Sequence, residues 1–180
     1  MGLVTRTPDV LKMLKDDHDK VKTIFEDFEQ ADDRMKAFLV SQGIRELEVH
    51  AAIEEELVYP VLRSDLEEKH ILDEALEEHH VAHLLIEELR AMSPADERYF
   101  AKFKVLAESI RHHIKEEEGT MFPEVEEKEL NWEELLVAVE RRKNELLEGA
   151  KPELQPGVST ITKGKHAKAE VDISSQTIHV

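Results

Sequence analysis

Two segments of the chain, residues 50–60 and residues 113–123, repeat the same order of chemically distinctive residues. In each segment a histidine is followed four residues later by a glutamate, and then by an aromatic residue and a proline. Residues four apart lie on one face of an α-helix, a turn apart. The repeat therefore predicts two helices that each present a histidine and a glutamate on one face. The pairs are His50 with Glu54 and His113 with Glu117.

The predicted helices that precede these two segments repeat each other as well. An acidic residue and a histidine, Asp17-His18 in one and Glu78-His79 in the other, come before apolar residues at matching offsets. The chain is therefore predicted to contain two helical hairpins, each with one lone histidine and one His-x-x-x-Glu pair. The matching apolar residues are Val21, Ile24, Phe25 and Phe28 in the first hairpin and Ala82, Leu85, Ile86 and Leu89 in the second.

The repeated histidines and glutamates fall on the apolar stripes of their helices, where apolar residues recur at steps of three and four. Carboxylates in a core are costly unless they are paired or bound to metal. Imidazoles and carboxylates that converge near a bundle axis can bind two divalent ions, with the glutamates bridging. The predicted metal ligands are His18, His50, Glu54, His79, His113 and Glu117.

Adjacent histidines leave the choice of ligand open at two places. His79 is preferred to His80 because its apolar offsets match those of His18. His113 is preferred to His112 because it keeps the four-residue spacing to the glutamate.

Three further polar residues adjoin the predicted ligands. His83 lies one turn beyond His79 and could bind metal, but it aligns with Lys22, so we expect a solvated side chain. Glu55 and Glu118 could accept hydrogen bonds from ligand imidazoles, although we expect them to be exposed helix charges.

Composition and helix signals predict an all-α fold. Aromatic residues make up only 5%, and Glu, Leu, Ala and Lys are abundant, which favours helices over strands. Short connections predict an antiparallel up-down-up-down four-helix bundle with a short fifth helix. We expect residues 1–148 to form this bundle and residues 149–180 to form an irregular C-terminal tail that is extended or disordered.

Helix ends are predicted from capping residues and prolines. The second helix is expected to end at Tyr59, because Pro60 follows. A capping box that starts at Ser64 is expected to open the third helix, and Ser93 to cap the fourth. Trp132 is the expected anchor of the fifth helix.

The net charge of −17 restricts the expected partners. An acidic surface repels phosphate backbones and anionic lipid headgroups, so we expect neither nucleic acid nor a membrane as a partner. The chain has no cysteine, which excludes disulfides, iron–sulfur clusters and zinc–thiolate sites. No apolar signal-peptide core or membrane-spanning run is present, so we expect a cytoplasmic protein. The oligomeric state is left open.

The ordered motif of the six predicted ligands resembles the hemerythrin-like, or HHE cation-binding, domain. The resemblance covers roughly residues 8–147 and implies an antiparallel bundle around a non-haem di-iron centre. It implies that Glu54 and Glu117 bridge two iron ions and that the four histidines are terminal ligands. The oxygen-carrying hemerythrins use five histidines, two of them at the spacing of His79 and His83. If His83 does not bind metal, a coordination position is open to water, oxygen or another ligand, and simple reversible oxygen carriage is in doubt.

The resemblance implies a protein that binds or senses dioxygen or iron. We infer that a ligand set dominated by imidazole favours reversible binding over oxidising chemistry. The alternative is a di-iron enzyme that acts on peroxide or nitric oxide in stress defence, at an open coordination position. A third hypothesis is a structural bundle that holds zinc or no metal, because imidazole and carboxylate also suit zinc.

Overall fold

The computed structural model describes residues 7–149, and every regular element in that range is helical. Five helical rods follow one another, and the second and fourth change to a π-helix part-way along. The predicted tail lies outside the described residues, apart from its first residue. The elements are α1 (Asp9–Gln30), α2 (Asp33–Ile53), π1 (Glu54–Val58), α3 (Tyr59–Leu62), α4 (Lys69–Ala91), α5 (Tyr99–Glu116), π2 (Glu117–Met121), α6 (Phe122–Glu126) and α7 (Trp132–Gly149).

Successive rods of the bundle run antiparallel. The connections between the first four rods span residues 31–32, 63–68 and 92–98. Connections this short leave each rod beside its predecessor. The first hairpin pairs α1 with α2 and the second pairs α4 with α5, while α2 also meets α4 and α1 meets α5. The predicted all-α, up-down-up-down bundle with a fifth helix is confirmed.

The second rod continues beyond Tyr59, contrary to the prediction, and it passes through Pro60. The fourth rod passes through Pro123 in the same way. A proline lacks an N–H and its ring clashes with the carbonyl four residues earlier. The structure widens each rod just before the proline: in π1 the N–H of Tyr59 donates to the carbonyl of Glu54, five residues back. The rods therefore continue as helices, with a π-helical turn placed next to the repeated glutamates.

Two predicted helix starts lie too early along the chain. The capping box at Ser64 does not form, because its hydroxyl donates to the carbonyl of Val61 at the end of α3. The next helix begins only at Lys69. In the same way, Ser93 lies in a turn, and α5 begins at Tyr99. Side chains that could cap a helix instead stabilise the connecting loops.

The fifth rod, α7, packs on aliphatic side chains and not chiefly on the predicted Trp132. Leu135 and Val139 are buried. Trp132 is only partly buried, and its indole N–H donates to the carbonyl of Lys128. Because α7 contacts α1, α2 and π1, it covers the first hairpin.

Two apolar clusters fill the interior. The first core contains Phe25 and Phe103, and the second core contains Tyr59 and Phe122. Along each of the four bundle rods, the repeated histidine separates the two cores. Most first-core residues of a rod lie on one side of its histidine in the sequence, and most second-core residues lie on the other side. The histidines therefore form a polar layer between two apolar ones.

Candidate metal centre

Six polar side chains are buried between the first and second cores, each no more than 6% exposed. Among residues 7–149 no other charged or histidine side chain is buried. Four rods contribute them, so the antiparallel topology brings distant parts of the chain to one place. They are the predicted set: His18, His50, Glu54, His79, His113 and Glu117.

The imidazoles form two close pairs, one from each hairpin. His18 Nε2 lies 3.0 Å from His50 Nε2 in the first hairpin. His79 Nε2 lies 3.1 Å from His113 Nε2 in the second. All four Nε2 atoms therefore point toward the bundle axis, as the repeat of the two hairpins requires.

The two carboxylates connect these pairs. Glu54 Oε2 lies 3.2 Å from His50 Nε2 and 3.4 Å from His79 Nε2, so it faces one imidazole of each hairpin. Glu117 Oε2 faces the other two imidazoles, at 3.2 and 3.4 Å. Two neighbouring groups of metal-binding atoms result, and Glu54 belongs to both.

Two carboxylate oxygens of this cluster are buried without a hydrogen bond, Glu54 Oε1 and Glu117 Oε2. A buried carboxylate oxygen that makes no hydrogen bond is costly, even where imidazoles lie nearby, as they do at Glu117 Oε2. Imidazole nitrogen and carboxylate oxygen together form a donor set that suits iron and zinc. The residues present therefore fit a metal centre.

A carboxylate faces the outer ring nitrogen, Nδ1, of each histidine. An Nδ1–H that donates outward fixes the tautomer and leaves Nε2 free to bind metal. Two of these acids, Asp17 and Glu78, directly precede the histidines of α1 and α4 in the sequence. The other two, Glu55 and Glu118, directly follow the glutamates at which π1 and π2 begin. Three of the pairs are hydrogen bonds: Glu118 with His18 at 2.9 Å, Glu55 with His79 at 2.9 Å and Glu78 with His113 at 2.8 Å. In the fourth, Asp17 lies 3.8 Å from His50 Nδ1, which makes no hydrogen bond.

These contacts correct the expectation for Glu55 and Glu118, which are not free helix charges. Their side chains are only 34% and 30% exposed, and each accepts a hydrogen bond from an imidazole. The roles of Asp17 and Glu78 were missed, although their recurrence directly before the lone histidines was visible in the sequence. Asp17 differs from the other three acids because Lys143 of α7 binds both of its oxygens, at 2.5 and 2.6 Å.

The aromatic residues of the repeat also lie at the centre. Tyr59 is 1% exposed, and its hydroxyl donates to Glu117 Oε1 at 2.7 Å. The same hydroxyl lies 3.4 Å from Glu54 Oε2. Burial, followed by the nearby carboxylates, raises the pKa of Tyr59 well above its ordinary value, so the phenol stays protonated. In the other half of the repeat Phe122 stacks on His18 and brings no hydroxyl.

The remaining histidines near the centre lie outside it. His83 is 42% exposed, and its Nε2 contacts Glu55 Oε1 at 2.9 Å. Lys22, its counterpart in the repeat, contacts Glu118 Oε1 at 3.4 Å. His80 and His112, the alternatives to the chosen ligands, are exposed. The structure thus supports the choice of His79 over His80 and of His113 over His112.

Charges within the cluster shift its pKa values strongly. Burial disfavours the charged form of His50, yet Glu54 and Asp17 outweigh it and raise the pKa of His50 to about 10. The pKa of His79 rises to about 9, again against burial, because Glu54 and Glu55 accept its hydrogen bonds. Burial likewise opposes ionisation of Glu54, but His50 holds the pKa of that carboxyl well below its ordinary range. In the absence of a cation, protons on His50 and His79 therefore balance the buried carboxylates.

The family model of the hemerythrin HHE cation binding domain matches residues 9–125. This chain belongs to that family. The matched range contains all six residues of the buried cluster and both halves of the repeat. The resemblance seen in the motif is thereby confirmed.

This HHE chain is similar to one curated protein in sequence and to one solved structure in fold. A DNA nickase of Nostoc sp. (strain PCC 7120 / SAG 25.82 / UTEX 2576) is 32% identical over 115 residues, which is 63% of this chain and 32% of the nickase. The HHE chain thus spans about a third of that relative's length. A hemerythrin HHE cation binding domain-containing protein of Mycobacterium kansasii has a crystal structure with a TM-score of 0.62 and 21% identity, covering 76% of this chain and 88% of that one. That likeness establishes the fold alone.

A small cavity adjoins the imidazoles of the HHE centre. All four histidines of the cluster line it, and apart from His83 the rest of its lining is aliphatic. Glu54, Glu117 and Tyr59 are not part of the lining. The centre therefore has a polar side, with the carboxylates and the phenol, and an apolar side. Within residues 7–149, none of the helices combines the length and the hydropathy of a bilayer-spanning segment.

Proposed function

We propose that this hemerythrin HHE protein holds two non-haem iron ions, bridged by Glu54 and Glu117, and binds or senses dioxygen or iron. One observation carries the proposal: each pair of Nε2 atoms faces both carboxylates at 3.2 to 3.4 Å. Each of two adjacent ions would thus be offered two imidazoles and two carboxylate oxygens. The proposed terminal ligands are His18, His50, His79 and His113.

The surroundings of the cluster support a small ligand. Bound iron would supply reversible electron exchange with such a ligand. The protein's own residues orient the imidazoles through the outer carboxylates and exclude bulk water with the two apolar cores. The aliphatic cavity offers a neutral diatomic molecule a place next to the imidazoles. Four neutral imidazoles against two carboxylates favour reversible binding.

One observation favours the second candidate, an enzyme that acts on peroxide or nitric oxide. The hydroxyl of Tyr59 donates to Glu117 Oε1 within the cluster. A buried phenol that stays protonated can donate a hydrogen bond that stabilises a reduced oxygen species, which reversible carriage of dioxygen does not need.

Spectroscopy and peroxide turnover separate the two candidates. A carrier or sensor should show an oxygen-dependent absorption band that reverses on deoxygenation, and it should consume no peroxide. An enzyme should evolve dioxygen from peroxide, and Glu54→Ala should abolish this activity. Peroxide turnover that survives in Glu54→Ala would rule out the proposed centre as its source.

The nicking activity of the Nostoc relative is not part of the proposal. The similarity covers only 32% of that protein, and a net charge of −17 repels a phosphate backbone. We propose a cytoplasmic protein whose partner is a small diatomic or peroxide ligand.

A further inference from the structure

The cavity beside the imidazoles is small. Its volume is about 20 Å³, and on this measure a cavity needs about 10–15 Å³ to hold one water molecule. It has room for one molecule of one or two heavy atoms and no room for a branched organic group. The size of the cavity thus limits what can reach the imidazoles from this side.

The cavity comes nearest to the surface where its lining is partly exposed. Ten of its twelve lining residues are buried, and the two that are partly exposed are Ala51 and His83. Ala51 lies on α2 and His83 on α4, and these two rods are neighbours in the bundle. Ala82 also lines the cavity, but it is buried. Because Ala51 carries only a methyl group, a larger side chain at this position would narrow this part of the cavity.

The chemistry of the opening favours uncharged molecules. Glu55 accepts hydrogen bonds from both His79 Nδ1 and His83 Nε2, each at 2.9 Å. A carboxylate therefore lies next to the partly exposed part of the cavity, which we call the mouth. Together with the net charge of −17, this carboxylate repels small anions. Inside the cavity, the lining residues other than the histidines are aliphatic and offer no hydrogen bonds to a charged species.

We propose that the seam at Ala51 and His83 is the entrance through which an uncharged molecule of one or two heavy atoms reaches the centre. This inference rests on the proposed function, since it assigns a route and a substrate class to the same site. Dioxygen, nitric oxide and hydrogen peroxide fit this class. Organic hydroperoxides are too large, and anions such as nitrite carry the wrong charge.

The first test measures occupancy of the cavity without relying on iron. Dissolved dioxygen is paramagnetic and relaxes the methyl groups that it visits, which NMR of the metal-free, isoleucine-labelled full chain can record. We expect strong relaxation at Ile86, Ile110 and Ile114, which line the cavity. Ile24 is the internal control, because it is as buried as Ile114, at 4% exposure, and does not line the cavity.

A matched pair of variants tests the entrance itself. Ala51→Leu places a larger side chain in the mouth, so it should reduce the relaxation of the lining methyls. Ala52→Leu is the control, because it adds the same isobutyl side chain at a residue that does not line the cavity. It should leave the relaxation of the isoleucine methyl groups unchanged. In iron-loaded, reduced protein, Ala51→Leu should also slow the second-order reaction with dioxygen by about tenfold at unchanged iron content.

The outcomes separate the entrance from the proposed function. Equal relaxation of all four isoleucines, or an unchanged pattern in Ala51→Leu, overturns the entrance whether or not the protein binds iron. A wild-type chain that takes up no iron overturns the di-iron proposal, while the relaxation pattern still decides where the cavity opens. If Ala51→Leu does not fold, His83→Ala tests the mouth by widening it: relaxation at Ile86 should then rise, and no change would contradict the entrance.

Discussion

Each predicted ligand histidine has a carboxylate behind it, so its metal affinity should depend on residues that never touch the metal. Glu78 Oε2 accepts a hydrogen bond from His113 Nδ1 at 2.8 Å. Glu78→Gln removes the charge of this acceptor while keeping its shape. We expect metal affinity to fall by about 10–100-fold, as outer partners of ligand imidazoles typically contribute.

Competition with a chelator of known affinity measures this change. Glu77→Gln is the matched control, because Glu77 is the exposed neighbour of Glu78 on the same helix. Equal affinities of the two variants would show that the carboxylate behind His113 does not support metal binding.

Tyr59 gives a second prediction for a single residue. Tyr59→Phe deletes the hydroxyl that donates to Glu117 Oε1, and it leaves a buried carboxylate oxygen without that donor. The free energy of unfolding of the metal-free protein should fall by about 1–3 kcal/mol. Tyr99→Phe, which lies in the first core away from the carboxylates, should cost less. A Tyr59→Phe protein as stable as the wild type in chemical denaturation would contradict the role of this hydrogen bond.

The raised pKa values of His50 and His79 predict how the stability of the metal-free protein depends on pH. Both values, about 10 and about 9, lie above the ordinary 6.5, so the folded state binds protons more tightly than the unfolded state. Their contribution is complete below about pH 6.5 and is lost as pH rises through 9 to 10. Denaturation at pH 6.5 and pH 10 should therefore show a clear loss of stability at the higher pH. Equal stability at the two pH values would mean that the imidazoles are not protonated in the metal-free fold.

At the scale of the helices, Gly43 of α2 faces the ring of Phe103, which reaches across the core from α5. A Cβ atom at Gly43 would lie 3.0 Å from Cζ and 3.3 Å from Cε2 of Phe103, a fully buried ring. Gly43→Ala should therefore destabilise the protein by about 1–3 kcal/mol, despite the better helix propensity of alanine. Gly119→Ala is the control, because a Cβ there meets nothing within 4 Å. Thermal unfolding in which both variants are stabilised alike would contradict the close contact.

The helical repeat made the rods and the buried cluster predictable. His18 and His79 could be placed in the core from their apolar offsets alone, and the four-residue spacing placed Glu54 and Glu117 beside their histidines. Periodicity carries this information because side chains three and four residues apart share a helix face. The acids Asp17 and Glu78 repeat just as clearly, yet their partners lie on other rods. Only the packing of one rod against the next shows such contacts.

The ends of the helices were less predictable, because several local signals compete there. Pro60 ordinarily ends a helix, but here a π-helical turn precedes it and the rod continues. Ser64 is a good capping residue, yet its hydroxyl donates a hydrogen bond to the carbonyl of Val61. In both cases local alternatives of similar energy compete, and the residue types alone do not decide between them.

For the molecule as a whole, a metal that binds only the folded state should stabilise it. The buried carboxylates Glu54 and Glu117 each have an oxygen without a hydrogen bond, and a bound cation would satisfy them. We expect the iron-loaded protein to melt well above the chelator-stripped protein, with a shift that grows with free metal concentration. Calorimetry of both forms at one pH measures this, and identical melting temperatures would count against a buried metal site.

The most direct test of the two-iron centre is the metal content of the full chain after anaerobic loading with ferrous iron and removal of excess metal. Elemental analysis should find about two irons per chain, and Glu54→Ala with Glu117→Ala should lose both, because these carboxylates are proposed to bridge the ions. Binding of zinc alone, or of no metal, or retention of two irons in the double variant would contradict the proposed centre.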